Sequence, residues 1–269
     1  MRPRMPLTAS NLSFGYRRGA PVLRGVTASF EAGTLAAIIG PNGSGKTTLL
    51  RLLLGLLAPT AGIVSLAGRA VRSMPEPERA ARLAYAPQRP SVAFGFSVWD
   101  VVALGCARRA PAAESRSAVG AALEAVGLTD RADAPFVELS AGQQQRAVLA
   151  RALAQLACSP AEGETALIAD EPTSAMDPRH ALEAMSLLRA QARLGRSVVL
   201  VLHDLTAAAR FADRAMLLDH SGACVADGPA GEVLQSPVMR RVFEVEFAHI
   251  AGPGGELRAI VPAVPASAR

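Results

Sequence analysis

Apolar residues run without interruption through four short stretches, 35–39, 83–86, 166–169 and 198–202. Continuous short runs, as opposed to alternating ones, are the pattern of strands buried on both faces of a parallel sheet. Each run gives way at once to polar or glycine-rich residues. Gly40-Pro41-Asn42-Gly43-Ser44-Gly45-Lys46-Thr47-Thr48 follows the first, Pro87-Gln88 the second, Asp170-Glu171 the third and His203-Asp204 the fourth. Ligands of open α/β sheets bind beyond the carboxyl ends of the strands. Four such groups at four strand ends predict one site assembled from distant parts of the chain.

Helical patterns fill the intervals at 47–57, 116–126, 143–156 and 180–194, with Gly127 and Gly195 as stops. The interval between Gln88 and Asp170 is dominated by helix formers. We read 94–160 as a helical subdomain inserted into an α/β core made of 1–93 and 161–235. Residues 159–165, with Pro160, Gly163 and two glutamates, read as a surface loop. Residues 236–269 read as a weakly patterned C-terminal tail, frayed at 252–255 and 262–269.

Composition narrows the class. The chain has 269 residues, enough for one domain or two, and 50% hydrophobic against 19% charged residues excludes disorder as the main state. No apolar stretch approaches the ~18 residues of a membrane span; the longest, 49–57, is broken by Arg51 and Gly55. The residues after Met1-Arg2-Pro3-Arg4-Met5-Pro6 lack the apolar core of a cleaved signal. Cys106, Cys158 and Cys224 are odd in number and widely spaced. They suit buried apolar positions in a reducing compartment, with neither a disulfide framework nor a zinc site expected. A net charge of +5 does not choose among nucleic acid, a membrane surface and nucleotide phosphates. Lys46 is the one lysine among 28 basic residues. A compact ammonium differs in use from a guanidinium, so Lys46 is expected to do work that arginine cannot.

Lys46 lies in Gly40-x-x-x-x-Gly45-Lys46-Thr47, the pattern of a phosphate-binding loop, with an apolar run before it and a helix after it. Glycines let consecutive N–H groups curl around phosphate oxygens, and the helix N-terminus adds its dipole. Lys46 then reaches the terminal phosphates and the Thr47 hydroxyl reaches magnesium. Asp170, at the end of an apolar run, is placed to serve the magnesium shell, and Glu171 to polarise an attacking water.

Leu139-Ser140-Ala141-Gly142-Gln143-Gln144-Gln145-Arg146 resembles the signature motif of the ABC ATPases, and the resemblance covers nearly the whole chain. It implies an α/β fold of the P-loop NTPase, RecA-like kind. That fold has a mostly parallel sheet core, an N-terminal antiparallel β region and an inserted α-helical subdomain. It further implies that Tyr16 stacks on adenine, that Gln88 senses magnesium and links the subdomains, that Ser174-Ala175-Met176-Asp177 is the D-loop, and that His203 is the switch histidine. ATP would be held by 40–48 with Tyr16 and Asp177, and magnesium by Thr47, Gln88 and Asp170. Glu171, His203 and Gln88 would be catalytic. Ser140, Gly142 and Gln143 would act in trans, on ATP bound to a second copy of the chain. Ser140 can also cap the helix that begins near Ala141. Tyr16 and His203 have plainer readings, as a packing aromatic and a hydrogen-bonded structural histidine. Two positions depart from the family. Ala141 stands where glycine is usual, which favours helix by roughly 1 kcal/mol and does harm only if positive φ is needed. Met176 replaces leucine at similar volume.

The stretch Phe96-Ser97-Val98-Trp99-Asp100-Val101-Val102-Ala103-Leu104-Gly105 is similar to importers of iron chelates, haem and cobalamin. Trp99 then stands where that family meets its membrane partner, unless it is a core residue of the helical subdomain. The resemblance implies an ATP-hydrolysing subunit of a bacterial importer, at the cytoplasmic face of the inner membrane. It would work with transmembrane permease subunits and, indirectly, a periplasmic binding protein. Alternatives are another solute, export, or a non-transport ATPase acting on nucleic acid. The last is disfavoured, because the chain has one motif set, no room for a long helical arm between Gln88 and Asp170, and no basic cluster interleaved with aromatics. An ATP-binding module without hydrolysis conflicts with the presence of Glu171 and His203.

Overall fold

The computed structural model describes residues 7–17, 19–89, 95–106, 110–159 and 164–263. Strands β1 (Leu7–Phe14) and β2 (Leu23–Phe30) form a hairpin ahead of β3 (Leu35–Ile39), which runs through the phosphate loop into α1 (Lys46–Leu53). β4 (Ala61–Leu66) and β5 (Arg69–Ala70) follow, then α2 (Glu76–Arg82) and β6 (Leu83–Ala86). Helices α3 (Val98–Ala103), α4 (Ala112–Ala125) and α5 (Ala141–Ala157) come next, before β7 (Ala166–Asp170), α6 (Pro178–Arg193) and β8 (Ser197–Val201). The chain continues through α7 (Leu205–Phe211), β9 (Arg214–Leu218), β10 (Cys224–Pro229), α8 (Ala230–Gln235) and α9 (Pro237–Phe243). It closes with a hairpin of β11 (Phe247–Ala251) and β12 (Leu257–Pro262).

The central sheet has the order β10-β9-β3-β8-β7-β6, parallel throughout except for β10. A second, antiparallel sheet has the order β2-β1-β4-β5. The uninterrupted apolar runs follow from this arrangement. Side chains alternate across a strand, and here both faces are covered. Leu35, Ala37 and Ile39 of β3 enter one core with α3, α5 and α6, while Ala36 and Ile38 enter another with α1, β1 and β2. The expected helical insertion is formed by α3, α4 and α5, and α5 also rests on β6. The readings of Phe94 and Pro160 as its limits, and of 160–163, Met1–Pro6 and 264–269, fall outside the described residues. Among the described residues no helix is long and apolar enough to cross a membrane.

The structure corrects two expectations. Cys106, just beyond α3, and Cys158, the C-cap of α5, form a disulfide across 52 residues of sequence. Both are buried as expected, but the packing of α3 on α5 brings their Cα atoms to 5.4 Å, within bridging range. Cys224 is free, and burial pushes its thiol up to about 11. The tail is the second correction. Met239 and Val242 of α9 and Ile260 of β12 are at most 5% exposed, and all three belong to the large core. Gly252–Gly255 lies in the five-residue connection between β11 and β12, and Gly255 there has φ of +81°.

Candidate active site

The loop between β3 and α1 forms a close-walled cradle. Gly40 has φ of +149°, and a Cβ there would lie 2.4 Å from Leu218 O, so a side chain is excluded. Lys46, the first residue of α1, is 6% exposed; its Nζ donates to Gly40 O and Pro41 O, each at 2.8 Å. Burial holds its ammonium below the usual lysine range, opposed by the negative charges of Glu171 and Asp170. Ser44 Oγ is buried without a partner. These orphaned or desolvated polar groups, with the loop N–H groups, fit a bound polyphosphate.

Asp170 ends β7, is 2% exposed and lies beside the Thr47 side chain. Burial lifts its carboxyl above the usual range, and Oδ1 has no partner. A buried carboxylate with a free oxygen beside a threonine hydroxyl is a donor set that fits a magnesium ion. Gln88 is occupied differently: its Nε2 donates to Glu171 Oε2 at 2.6 Å.

Glu171 collects the remaining contacts. Its Oε1 lies 2.5 Å from His203 Nε2, beyond the end of β8. Its backbone is in the left-handed region, φ +47°, which costs a non-glycine residue about 1–2 kcal/mol. The neighbours hold that conformation. Glu171 N donates to Val201 O at 3.1 Å, and Glu171 O accepts from Gln145 Nε2 at 3.1 Å. A cleft of about 540 Å³ opens here, lined by Glu171, Ser174, Met176, His203, Asp204 and Thr206 among others.

Tyr16 stands at the other side of the loop. Its hydroxyl is 3.3 Å from Thr48 Oγ1 and its ring packs edge-on against Phe14, yet the residue is 58% exposed. Ser140 caps α5 in a capping box with Gln143, and Ala141 is the first helical residue, so no positive φ is needed there. A Cβ on Gly142 would lie 2.6 Å from Ala175 O, which ties the helix start to the D-loop. Asp177 caps α6, accepting from His180 N at 2.9 Å. The site therefore joins Lys46, Thr47, Asp170, Glu171, Gln88 and His203. Among the described residues no hydrogen bond links Ser140, Gly142 or Gln143 to the phosphate loop. Trp99 is half-buried and packs against the large core, which fits the plainer of its two readings, and its backbone N–H donates to Ala132 O at 2.8 Å.

Sequence reasoning missed Gln145. It is 5% exposed; its Nε2 donates to Ser174 Oγ at 2.8 Å as well as to Glu171 O, and its Oε1 accepts from Ala175 N at 3.0 Å. A signal was present, because Gln145 shares an i, i+3, i+4, i+7 face with buried Val148, Leu149 and Ala152. A lone polar residue on an apolar stripe needs internal partners.

Residues 23–174 match the family described as ABC transporter. The chain belongs to that family. It is an ABC ATPase, and ATP is its nucleotide. A "Hemin import ATP-binding protein HmuV" of Rhodopseudomonas palustris (strain BisA53) is 47% identical over 231 residues, covering 86% of this chain and 85% of the relative. Among solved structures, a chain of a "metal-chelate type ABC transporter" in an inward-facing conformation superposes with a TM-score of 0.78 at 25% identity, covering 97% of this ABC chain and 98% of the other. A bacterial ABC transporter cassette solved as a dimer gives a TM-score of 0.73 at 26% identity, over 83% and 98%.

Proposed function

We propose that this ABC ATPase powers a bacterial importer of haem or a related metal chelate. It would act as a homodimer at the cytoplasmic face of the inner membrane, bound to transmembrane permease subunits that a periplasmic binding protein supplies. The observation that carries the hydrolytic part is the grip on Glu171, whose carboxylate lies between Gln88 and His203, next to Asp170 and Lys46. The haem-import relatives and the metal-chelate neighbour support the cargo class.

In this reading the 40–48 loop binds the phosphates of ATP, with Lys46 turning from the Gly40 and Pro41 carbonyls to the terminal phosphate oxygens. Tyr16, exposed beside α1, stacks on the adenine. Thr47, Asp170 and Gln88 would hold magnesium. When bound, the metal neutralises charge on the β- and γ-phosphates. Glu171 orients the attacking water and accepts its proton, while His203 and Gln88 fix the carboxylate. Ser140, Gly142 and Gln143 present the α5 N-terminus, and Asp177 the D-loop, to ATP on the second copy. A groove of about 300 Å³ between α2, β6 and α5 receives the permease; Leu56 and Leu104 on its rim are 59% and 49% exposed.

Tagged Glu171→Gln protein, which binds ATP and hydrolyses it slowly, is the test. With ATP and magnesium it runs as a dimer on size exclusion and recovers a multi-span membrane protein from solubilised membranes. A monomer under those conditions sinks the homodimer, and recovery of only soluble or nucleic-acid-bound proteins sinks the importer.

A further inference from the structure

The C-terminal hairpin is fastened to the helix that follows His203. β12 lies along α7, and the Thr206 hydroxyl joins them in both directions, donating to Ile260 O at 3.1 Å and accepting from Ile260 N at 3.3 Å. Ile260 itself is 3% exposed, in the core that Leu205, Phe247 and Leu257 pack against. On its other side the first turn of α7 is held by its N-cap. Asp204 accepts from Thr206 N at 2.8 Å and from Ala207 N at 3.1 Å. His203 immediately precedes that cap, and Thr206 lines the same cleft as Glu171 and His203.

α7 has 7 residues. A helix of that length does not hold itself in place; isolated helices need roughly 12–15 residues even to be marginal. Its position, and that of the residue leading into it, is set by what it packs against. β8 fixes one side of His203, because Leu202 N donates to Ile38 O at 3.2 Å. The hairpin fixes the other.

We propose that Thr206 is a positioning residue for ATP hydrolysis, through which the C-terminal hairpin braces the start of α7 and keeps His203 on Glu171. The proposal rests on the reading that the Glu171–His203 pair serves hydrolysis, and it gives the hairpin a role in that reaction.

The test is steady-state ATPase activity of the full chain over a range of ATP concentrations, for Thr206→Val, Thr206→Ser, His203→Ala and Val261→Ser, with thermal melts in parallel. Valine keeps the shape of threonine and removes both hydrogen bonds; serine keeps the hydroxyl. Thr206→Val lowers kcat about tenfold, short of the ~100-fold that a 1 Å misplacement can cost. KM for ATP is unchanged, since the phosphate loop is not touched. Thr206→Ser recovers most of that loss, and Val261→Ser, on the exposed face of β12, behaves as wild type. A His203→Ala variant that hydrolyses ATP normally refutes the underlying reading. An inactive His203→Ala with an unimpaired Thr206→Val, or a serine variant as slow as the valine one, overturns the proposal alone. If Thr206→Val melts too early to assay, Ile260→Ala takes its place. It loosens the hairpin from the other side, and a wild-type kcat there overturns the proposal equally.

Discussion

Replacing Gln145 by leucine separates two jobs that one side chain performs. The substitution removes three hydrogen bonds, to Glu171 O, Ser174 Oγ and Ala175 N. At a net ~0.5–1.5 kcal/mol each, their loss amounts to roughly 1.5–4.5 kcal/mol. Most of what they leave behind is still satisfied. Glu171 O continues to accept from Ser174 Oγ at 3.2 Å, and Ala175 is exposed, so its N–H meets water. Leucine at a position 5% exposed also recovers apolar burial. The net destabilisation is therefore about 1–2 kcal/mol, read from urea midpoints at constant slope. Activity suffers more. Gln145 helps hold Glu171 at φ +47°, a conformation that relaxes when its restraint goes. The carboxylate then leaves the Gln88–His203 grip, and kcat falls by tenfold or more while ATP affinity, set at residues 40–48, stays. A variant that loses stability and keeps its kcat would show that Gln145 only packs; one that changes neither would refute the hydrogen-bond account as well.

Three further outcomes test the rest of the site and the disulfide. Lys46→Ala weakens ATP binding by about 10–100-fold, as expected for losing a charged donor worth ~1.5–3 kcal/mol, measured by equilibrium titration; unchanged affinity contradicts the phosphate-loop assignment. Asp170→Asn raises the melting temperature without nucleotide at pH 7 and abolishes hydrolysis. Burial raises the folded pKa of this carboxyl, so the folded chain holds the proton more strongly than the unfolded chain does. Its ionisation therefore erodes stability as pH climbs from the ordinary carboxylate value through the raised one, and the amide removes that slope; an unaltered pH–stability profile contradicts this. Cys106→Ser lowers the urea midpoint of oxidised protein. Closing a loop of 52 residues is worth up to about 4 kcal/mol in the chain-entropy picture, and reductant makes wild type and variant converge; a midpoint insensitive to reductant counts against the bridge.

The sheet core and the polar groups at its strand ends were legible because their physics is local. A strand covered on both faces has no polar alternation, so 35–39, 83–86, 166–169 and 198–202 stood out, and each polar group at their ends lies where strand polarity puts it. The hairpin was not legible because its buried content is thin. Of the residues of β11 and β12 only Ile260 is fully buried, with Phe247, Leu257 and Ala259 partly so, and no alternation rises above the background. The disulfide was illegible for another reason. Cys106 and Cys158 are brought together only by α3 packing on α5, a tertiary fact to which spacing in sequence gives no access. Gln145 was overlooked inside a run of three glutamines, where the signature pattern draws attention to Gln143 and the helical period points to the third.

These contacts converge on one residue from three parts of the fold. The carboxylate of Glu171 is held by Gln88, after β6, and by His203, after β8, while its carbonyl is held by Gln145 of α5 in the helical subdomain. A rotation of the helical subdomain against the sheet must therefore stretch the Gln145 bond, relieve the strained φ of Glu171, or carry Glu171 with it. The second and third of these change the carboxylate's distance from the end of the phosphate loop. The same bond runs both ways, since a force on α5 reaches Glu171 just as a change at Glu171 reaches α5. Hydrogen exchange at the α5 N-terminus in Glu171→Gln protein, with and without ATP, reads this directly. Nucleotide slows exchange at 140–146 and at 171–176 together, and Gln145→Leu uncouples the two. Independent protection of the two segments in the otherwise unaltered chain would mean that the subdomain and the Glu171 carboxylate are not linked through Gln145.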